Sequence, residues 1–121
     1  RFITGGKMLG APKIKKIITE VGSYLIYYLA RIPFKDCTNA FKMFSESLKN
    51  KIKLDSTVGF TFALELTVKS YLLNLKIIEI PSIWIETKNR KTNFKICKWL
   101  PYYTYWLFYS IIRNITKFFT K

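Results

Sequence analysis

The run Asp36-Cys37-Thr38-Asn39-Ala40-Phe41-Lys42 brings a carboxylate, a hydroxyl and a cation into one short segment. Asp36 there either positions a substrate or caps a turn through its own side chain. Downstream lie Gly59-Phe60-Thr61-Phe62, then Glu65, then Glu79-Ile80-Pro81, then Thr92-Asn93-Phe94-Lys95. The chain has no histidine. That excludes Ser-His-Asp and Cys-His catalysis, and zinc sites built on imidazole. Twenty-one Lys and Arg stand against 7 Asp and Glu, a formal net charge of +14. Such a chain calls for an anionic partner: a membrane surface, a nucleic acid or a phosphorylated substrate.

Half of the residues are hydrophobic and 17% are aromatic, which is rich for a soluble domain. The 121 residues suit one small domain with a modest core. Cys37 and Cys97 are too few for a disulfide framework and read as inert free thiols in a reducing compartment. The first residues lack an apolar stretch followed by a small-residue cleavage site. The chain opens on Arg1 rather than Met, so a natural start further upstream is expected.

Residues 1–11 are Gly-rich and are expected to form a loop. Ile14, Ile17, Ile18, Val21, Leu25, Tyr28, Leu29 and Ile32 recur at helical spacing. They predict an amphipathic helix over residues 12–31, with Pro12 in its first turn and Pro33 closing it. Lys13, Lys15 and Lys16 sit where cations oppose the helix dipole. Either an anionic headgroup or phosphate favours them, or they form a solvated turn. Residues 35–43 read as a loop entering a short strand, and 44–58 as a short helix and a turn. Residues 59–74 predict a largely buried helix with Glu65 and Lys69 as an i,i+4 pair and Asn74 at its end. Residues 76–86 predict a strand, with Pro81 marking an edge or a bulge. Residues 87–98 form a basic loop. Residues 99–119 predict an aromatic helix whose uncharged stretch is short for a membrane span and suits the interface plane.

Order and spacing of these motifs resemble the C-terminal half of a family 2 glycosyltransferase catalytic domain, of the dolichol-phosphate mannosyltransferase type. Asp36-x-Thr38 and Phe41-Lys42 resemble the family's Asp-x-Thr-x-Gly-Phe-Arg run, with Ala40 for Gly and Lys42 for Arg. Arg1-Phe2 with Gly5-Gly6 resembles its Ser-Arg-aromatic segment beside the donor diphosphate. Gly59-Phe60-Thr61-Phe62 with Glu65 resembles its Gly-aromatic-x-Phe-x-x-Glu helix start, and Glu79-Ile80-Pro81 its Glu-Val-Pro strand. Residues 86–94 resemble a phosphate-closing loop, with Thr87, Arg90 and Thr92 where Arg, Gly and Ser are usual. Residues 95–103 resemble a Lys-Trp-Leu-Pro-x-Tyr tail.

The resemblance implies an α/β fold: the C-terminal part of a GT-A nucleotide-diphospho-sugar transferase over residues 1–98, then an aromatic membrane-associated helix over 99–121. It implies sugar transfer from a nucleotide-sugar onto a polyprenyl phosphate at the cytoplasmic face of a membrane. Asp36, Thr38 and Lys42 would be catalytic. Arg1, Lys88, Arg90, Thr92 and Lys95 would bind phosphate, and Glu65 and Glu79 would be structural or accessory. A divalent metal, Mg or Mn, is expected, held by an Asp-x-Asp motif that does not occur in this chain. The nucleotide-binding half is expected upstream, and this chain alone is not expected to catalyse. Two other readings stand beside this one: a non-catalytic basic membrane-binding protein, and a nucleic-acid module that stacks bases on Tyr and Phe.

Overall fold

Ile26, Leu64, Val68 and Trp106 lie far apart in sequence and meet in one buried cluster with Ala30, Ile32 and Cys37. The computed structural model describes residues 1–87 and 95–120. In chain order its elements are β1 (Lys7–Leu9), α1 (Lys13–Leu29), α2 (Glu46–Lys51), α3 (Thr61–Leu72), β2 (Ile83–Ile85) and α4 (Ile96–Phe119). The helix α3 is the centre. It is buried from Ala63 to Val68, and α4 packs along it and against α1. Its sparse polar positions made that burial legible: Thr67 satisfies its hydroxyl on the Ala63 carbonyl at 3.0 Å. The helix closes with Asn74 in the left-handed region at φ 56°. The Asn74 N–H bonds Tyr71 O and the Leu75 N–H bonds Ser70 O, each at 3.0 Å, which satisfies the last carbonyls.

The apolar faces of α1 and α4 are only half used. Ile26 and Ala30 turn one side of α1 inward, while Ile14, Ile17, Val21, Tyr24 and Tyr28 form an exposed stripe on the other. Trp106 and Ser110 turn inward on α4, and Tyr105, Phe108, Ile112, Ile115 and Phe119 form a second exposed stripe. Alternating steps of three and four keep each stripe on one helix face. Among the described residues, no helix is long and apolar enough to cross a membrane.

The strands depart from the sequence reading. Residues 7–9, expected in a loop, form β1, which pairs in parallel with β2 in the register Lys7–Ile83, Met8–Trp84 and Leu9–Ile85. The pattern missed it because three residues are too short to show alternation. The strand expected over 76–86 shrinks to Ile83–Ile85. Pro81 lacks the N–H that pairing would require, and regular pairing starts only after it. No strand follows the loop at 35–43. Its backbone is held by side chains instead: the Lys35 and Asp36 N–H groups both donate to Glu79 Oε1, at 3.0 and 2.9 Å.

Gly59 lets α4 approach the start of α3. Its φ is +55°, and a Cβ there would lie 2.6 Å from the Trp99 ring. Trp99 meets Phe60 edge to face, with ring centroids 5.7 Å apart. Gly59→Ala therefore combines backbone strain with a steric clash and should destabilise the fold by about 1–3 kcal/mol. Thermal unfolding followed by tryptophan emission checks this, and an unchanged midpoint would contradict it.

Candidate functional site

Arg1 and Asp36, 35 positions apart, form a bidentate ion pair: Nε donates to Oδ2 at 2.7 Å and Nη2 to Oδ1 at 2.8 Å. Nη2 also reaches Thr38 Oγ1 at 3.3 Å. Both charged side chains are nearly buried. The planar guanidinium fork matches a carboxylate, which fixes both groups in orientation. Burial pulls the Asp36 carboxyl upward, yet its bonds and charge contact with Arg1 win, and it sits below the usual carboxylate range.

Beside this pair opens a cavity of about 270 Å³ between α1, β2 and the start of α4. Its apolar walls include Ile18, Phe60, Trp99, Leu100 and Tyr103. Its polar lining includes Arg1, Lys15, Thr38, Asn39 and Glu86. Lys15 and Glu86 form a second ion pair at 2.8 Å. Trp84 lies between the two cations: Arg1 Cζ is 6.0 Å and Lys15 Nζ 5.8 Å from its ring centroid. The cavity therefore joins fixed cations to an aromatic, apolar slot. That combination suits a molecule with a phosphate at one end and a hydrocarbon chain behind it.

The expected site residues scatter in part. Arg1, Asp36 and Thr38 converge. Lys42 is half-buried; burial pulls its ammonium below the usual lysine range, against the charges of Asp36 and Glu79. It is not among the residues lining the cavity. Phe41 beside it is almost fully exposed. Lys95 is exposed at the N-terminal end of α4. Lys88, Arg90 and Thr92 lie outside the described residues.

Glu65 and Glu79 are structural. Glu79 clamps the loop at 35–36. Glu65 is fully buried, accepts the Asp55 and Ser56 N–H groups at 2.7 and 2.8 Å, and pairs with Lys69 at 2.6 Å. Burial alone would raise the Glu65 carboxyl; the bonds from Lys69 and Ser56 bring it below its usual range. Burial pushes the Cys37 thiol up to about 12, which leaves it unreactive. No group of three or more His, Cys, Asp or Glu among the described residues could hold a metal ion. No metal ligand set is therefore assigned to them.

Sequence reasoning missed Trp84 and the Lys15–Glu86 pair. Lys15 read as one of three lysines crowding a helix start, and Trp84 as a strand residue. Nothing local marks either for the other, because their pairing depends on β1 and β2 lying side by side.

The Arg1–Asp36 pair has a pH signature. A carboxyl held below its unfolded value adds stability above that value, and the gain is lost as pH falls through the folded one. Asp36→Asn should therefore cost about 1–3 kcal/mol near neutral pH and far less in acid. Urea unfolding at a series of pH values measures this, and a cost independent of pH would contradict it.

No family model matches the chain, and no solved structure matches it. An undecaprenyl-phosphate mannosyltransferase of Micrococcus luteus is 26% identical to it over 88 residues, which cover 71% of this chain and 36% of that protein. The chain thus spans about a third of the length of that curated relative. The match points to a glycosyltransferase relationship and is compatible with a polyprenyl phosphate as acceptor.

Proposed function

We propose that this chain is the acceptor side of a glycosyltransferase that moves a sugar from a nucleotide-sugar onto a polyprenyl phosphate at a membrane surface. The observation that carries the reading is the cavity, which sets Arg1, Thr38 and Lys15 beside an aromatic and aliphatic slot. The similarity to an undecaprenyl-phosphate mannosyltransferase supports it. So does the small parallel sheet, which leaves Ile78, Ile80, Ile83 and Ile85 exposed. Two strands alone make a marginal sheet, and the larger sheet of a GT-A fold would cover them.

The chemistry follows from charge. A phosphate monoester is ionised near neutral pH, so its oxygen attacks the sugar's anomeric carbon without a general base. The new carbon–oxygen bond forms as the bond to the nucleotide diphosphate breaks, and the electron pair leaves with the diphosphate. Arg1 would hold the acceptor phosphate near Thr38, and Asp36 fixes the direction of Arg1. Lys42 would offset charge on the phosphates from behind the loop. The donor's nucleotide and any divalent metal would be held by residues outside this chain. The lysine-rich start of α1 and the aromatic stripe of α4 would rest on the membrane, on its cytoplasmic face.

Three experiments test this reading. Within a complete enzyme containing this segment, Asp36→Asn and Lys42→Ala should each slow transfer from nucleotide-sugars to a polyprenyl phosphate by roughly a hundredfold. Circular dichroism well below the melting transition should be unchanged. Farnesyl phosphate added to the chain itself should quench Trp84 and Trp99 emission. Near-normal turnover with no quenching would remove the assignment. Separately, flotation with vesicles should show binding that strengthens with anionic lipid and weakens with salt. Equal partition to neutral and anionic vesicles would remove the electrostatic part.

A further inference from the structure

A second concavity, a shallow groove of about 560 Å³, lies where the end of α3 meets the C-terminal half of α4 and the segment after α2. Five cationic side chains line it, Lys51, Lys53, Lys69, Arg113 and Lys117, against one carboxylate, Asp55. Two of the five are committed to the fold. Lys69 binds Asp55 and Glu65, at 2.7 and 2.6 Å. Lys117 donates to the terminal carbonyls of α3, Tyr71 O at 3.3 Å and Leu72 O at 3.2 Å, and to Asn74 Oδ1 at 2.6 Å. Its charge there offsets the negative end of that helix. Lys51, Lys53 and Arg113 remain exposed, with no ion pair among the described residues. Arg113 is steered by Tyr109, which accepts from its Nε at 3.4 Å and lies under its guanidinium.

The groove adjoins the exposed apolar stripe of α4. Tyr109, Arg113, Thr116 and Thr120 line the groove, and each follows a stripe residue by one position: Phe108, Ile112, Ile115 and Phe119. One position is about 100° of helix rotation, so cationic sector and apolar sector are neighbours over the same turns. A ligand with an anionic head and a hydrocarbon body would meet both at once. We propose that this groove binds the phosphate of an anionic lipid headgroup, with the acyl chains along the α4 stripe. The site is distinct from the Arg1–Lys15 cavity and shares no lining residue with it. It rests on the membrane-docking part of the proposed function, to which it adds a defined lipid contact.

The test compares two charge-removal variants of the full chain. Lys51→Gln/Lys53→Gln/Arg113→Gln empties the groove of its uncommitted cations. Lys7→Gln/Lys49→Gln/Lys76→Gln removes the same charge from exposed positions elsewhere. Binding to phosphatidylcholine vesicles carrying phosphatidylglycerol should weaken at least about tenfold more for the first than for the second. Equal losses mean diffuse attraction and overturn the site. Should the triple variant unfold, Lys53→Gln alone, in irregular backbone, is compared with Lys76→Gln alone, and the larger loss is expected for Lys53→Gln. In parallel, dihexanoyl phosphatidylglycerol below its micellar concentration should shift the Lys53 and Arg113 amide resonances, and inorganic phosphate at equal concentration should not. Equal shifts by both overturn the lipid assignment in favour of a soluble anion, and no shift by either overturns the site. If the unaltered chain fails to bind vesicles while the short lipid still shifts these amides, the groove stands and the membrane-docking reading fails.

Discussion

Glu65 and Glu79 each accept two successive backbone N–H groups from a loop, at Asp55–Ser56 and at Lys35–Asp36. Those loops carry no regular pairing of their own, so the carboxylates replace the hydrogen bonds that a strand or helix would supply. Both anchors reach other parts of the structure through the loops they hold. Glu79 fixes the backbone of Asp36, and Asp36 fixes Arg1. Glu65 fixes Ser56, whose hydroxyl accepts the Trp106 indole N–H at 2.9 Å and ties the loop to α4. Among 7 carboxylates facing 21 cations, Asp36, Asp55, Glu65, Glu79 and Glu86 are all engaged in such links. Most of the scarce negative charge is thus engaged within the chain, and the surplus positive charge has no carboxylate to match it.

That partition explains what could be read from the sequence. The long helices were legible because three- and four-residue spacing is local, and Asn74 marked the end of α3 through its tolerance of a left-handed backbone. The Glu65–Lys69 pair was legible for the same reason. The site was legible only in pieces. Asp36 and Thr38 stood out as a motif, but the partner of Asp36 is 35 positions away and no periodicity points to it. β1 was obscured because three residues are too few to show alternation, and its parallel pairing with β2 spans the whole of α1 to α3. The loop at 35–43 read as the approach to a short strand. Side-chain anchoring, which the pattern does not record, decided otherwise.

The two cation populations differ in kind. Arg1 and Lys15 are each matched to a carboxylate and stand against Trp84, so they are oriented before any ligand arrives. A pre-oriented cation contributes direction and selectivity, since little conformational freedom is lost on binding. Lys51, Lys53 and Arg113 are exposed and carry no ion pair among the described residues, so their charge stays available to an anionic headgroup in the groove. Under the proposed function, the first arrangement would orient the acceptor phosphate and the second would seat a lipid headgroup.

Both features meet on α4. Its first turns give Ile96, Trp99, Leu100 and Tyr103 to the cavity. Its middle gives Trp106 and Ser110 to the buried interior, and its last turns give Arg113, Thr116 and Lys117 to the basic groove. Asn114 holds it to α1 through the Ala30 carbonyl at 2.6 Å. α4 runs as one helix from Ile96 to Phe119, with Pro101 inside it between the cavity-lining Leu100 and Tyr103, so the outer stripe and the cavity mouth are carried on the same element. Laying that stripe on an apolar surface would set the cavity at a fixed angle and depth relative to the surface. For an acceptor whose hydrocarbon chain stays in the bilayer, only the phosphate needs to move into place. Under the proposed function, the fold would contribute by positioning, which would reduce the entropic cost of bringing a membrane-bound phosphate to a sugar donor.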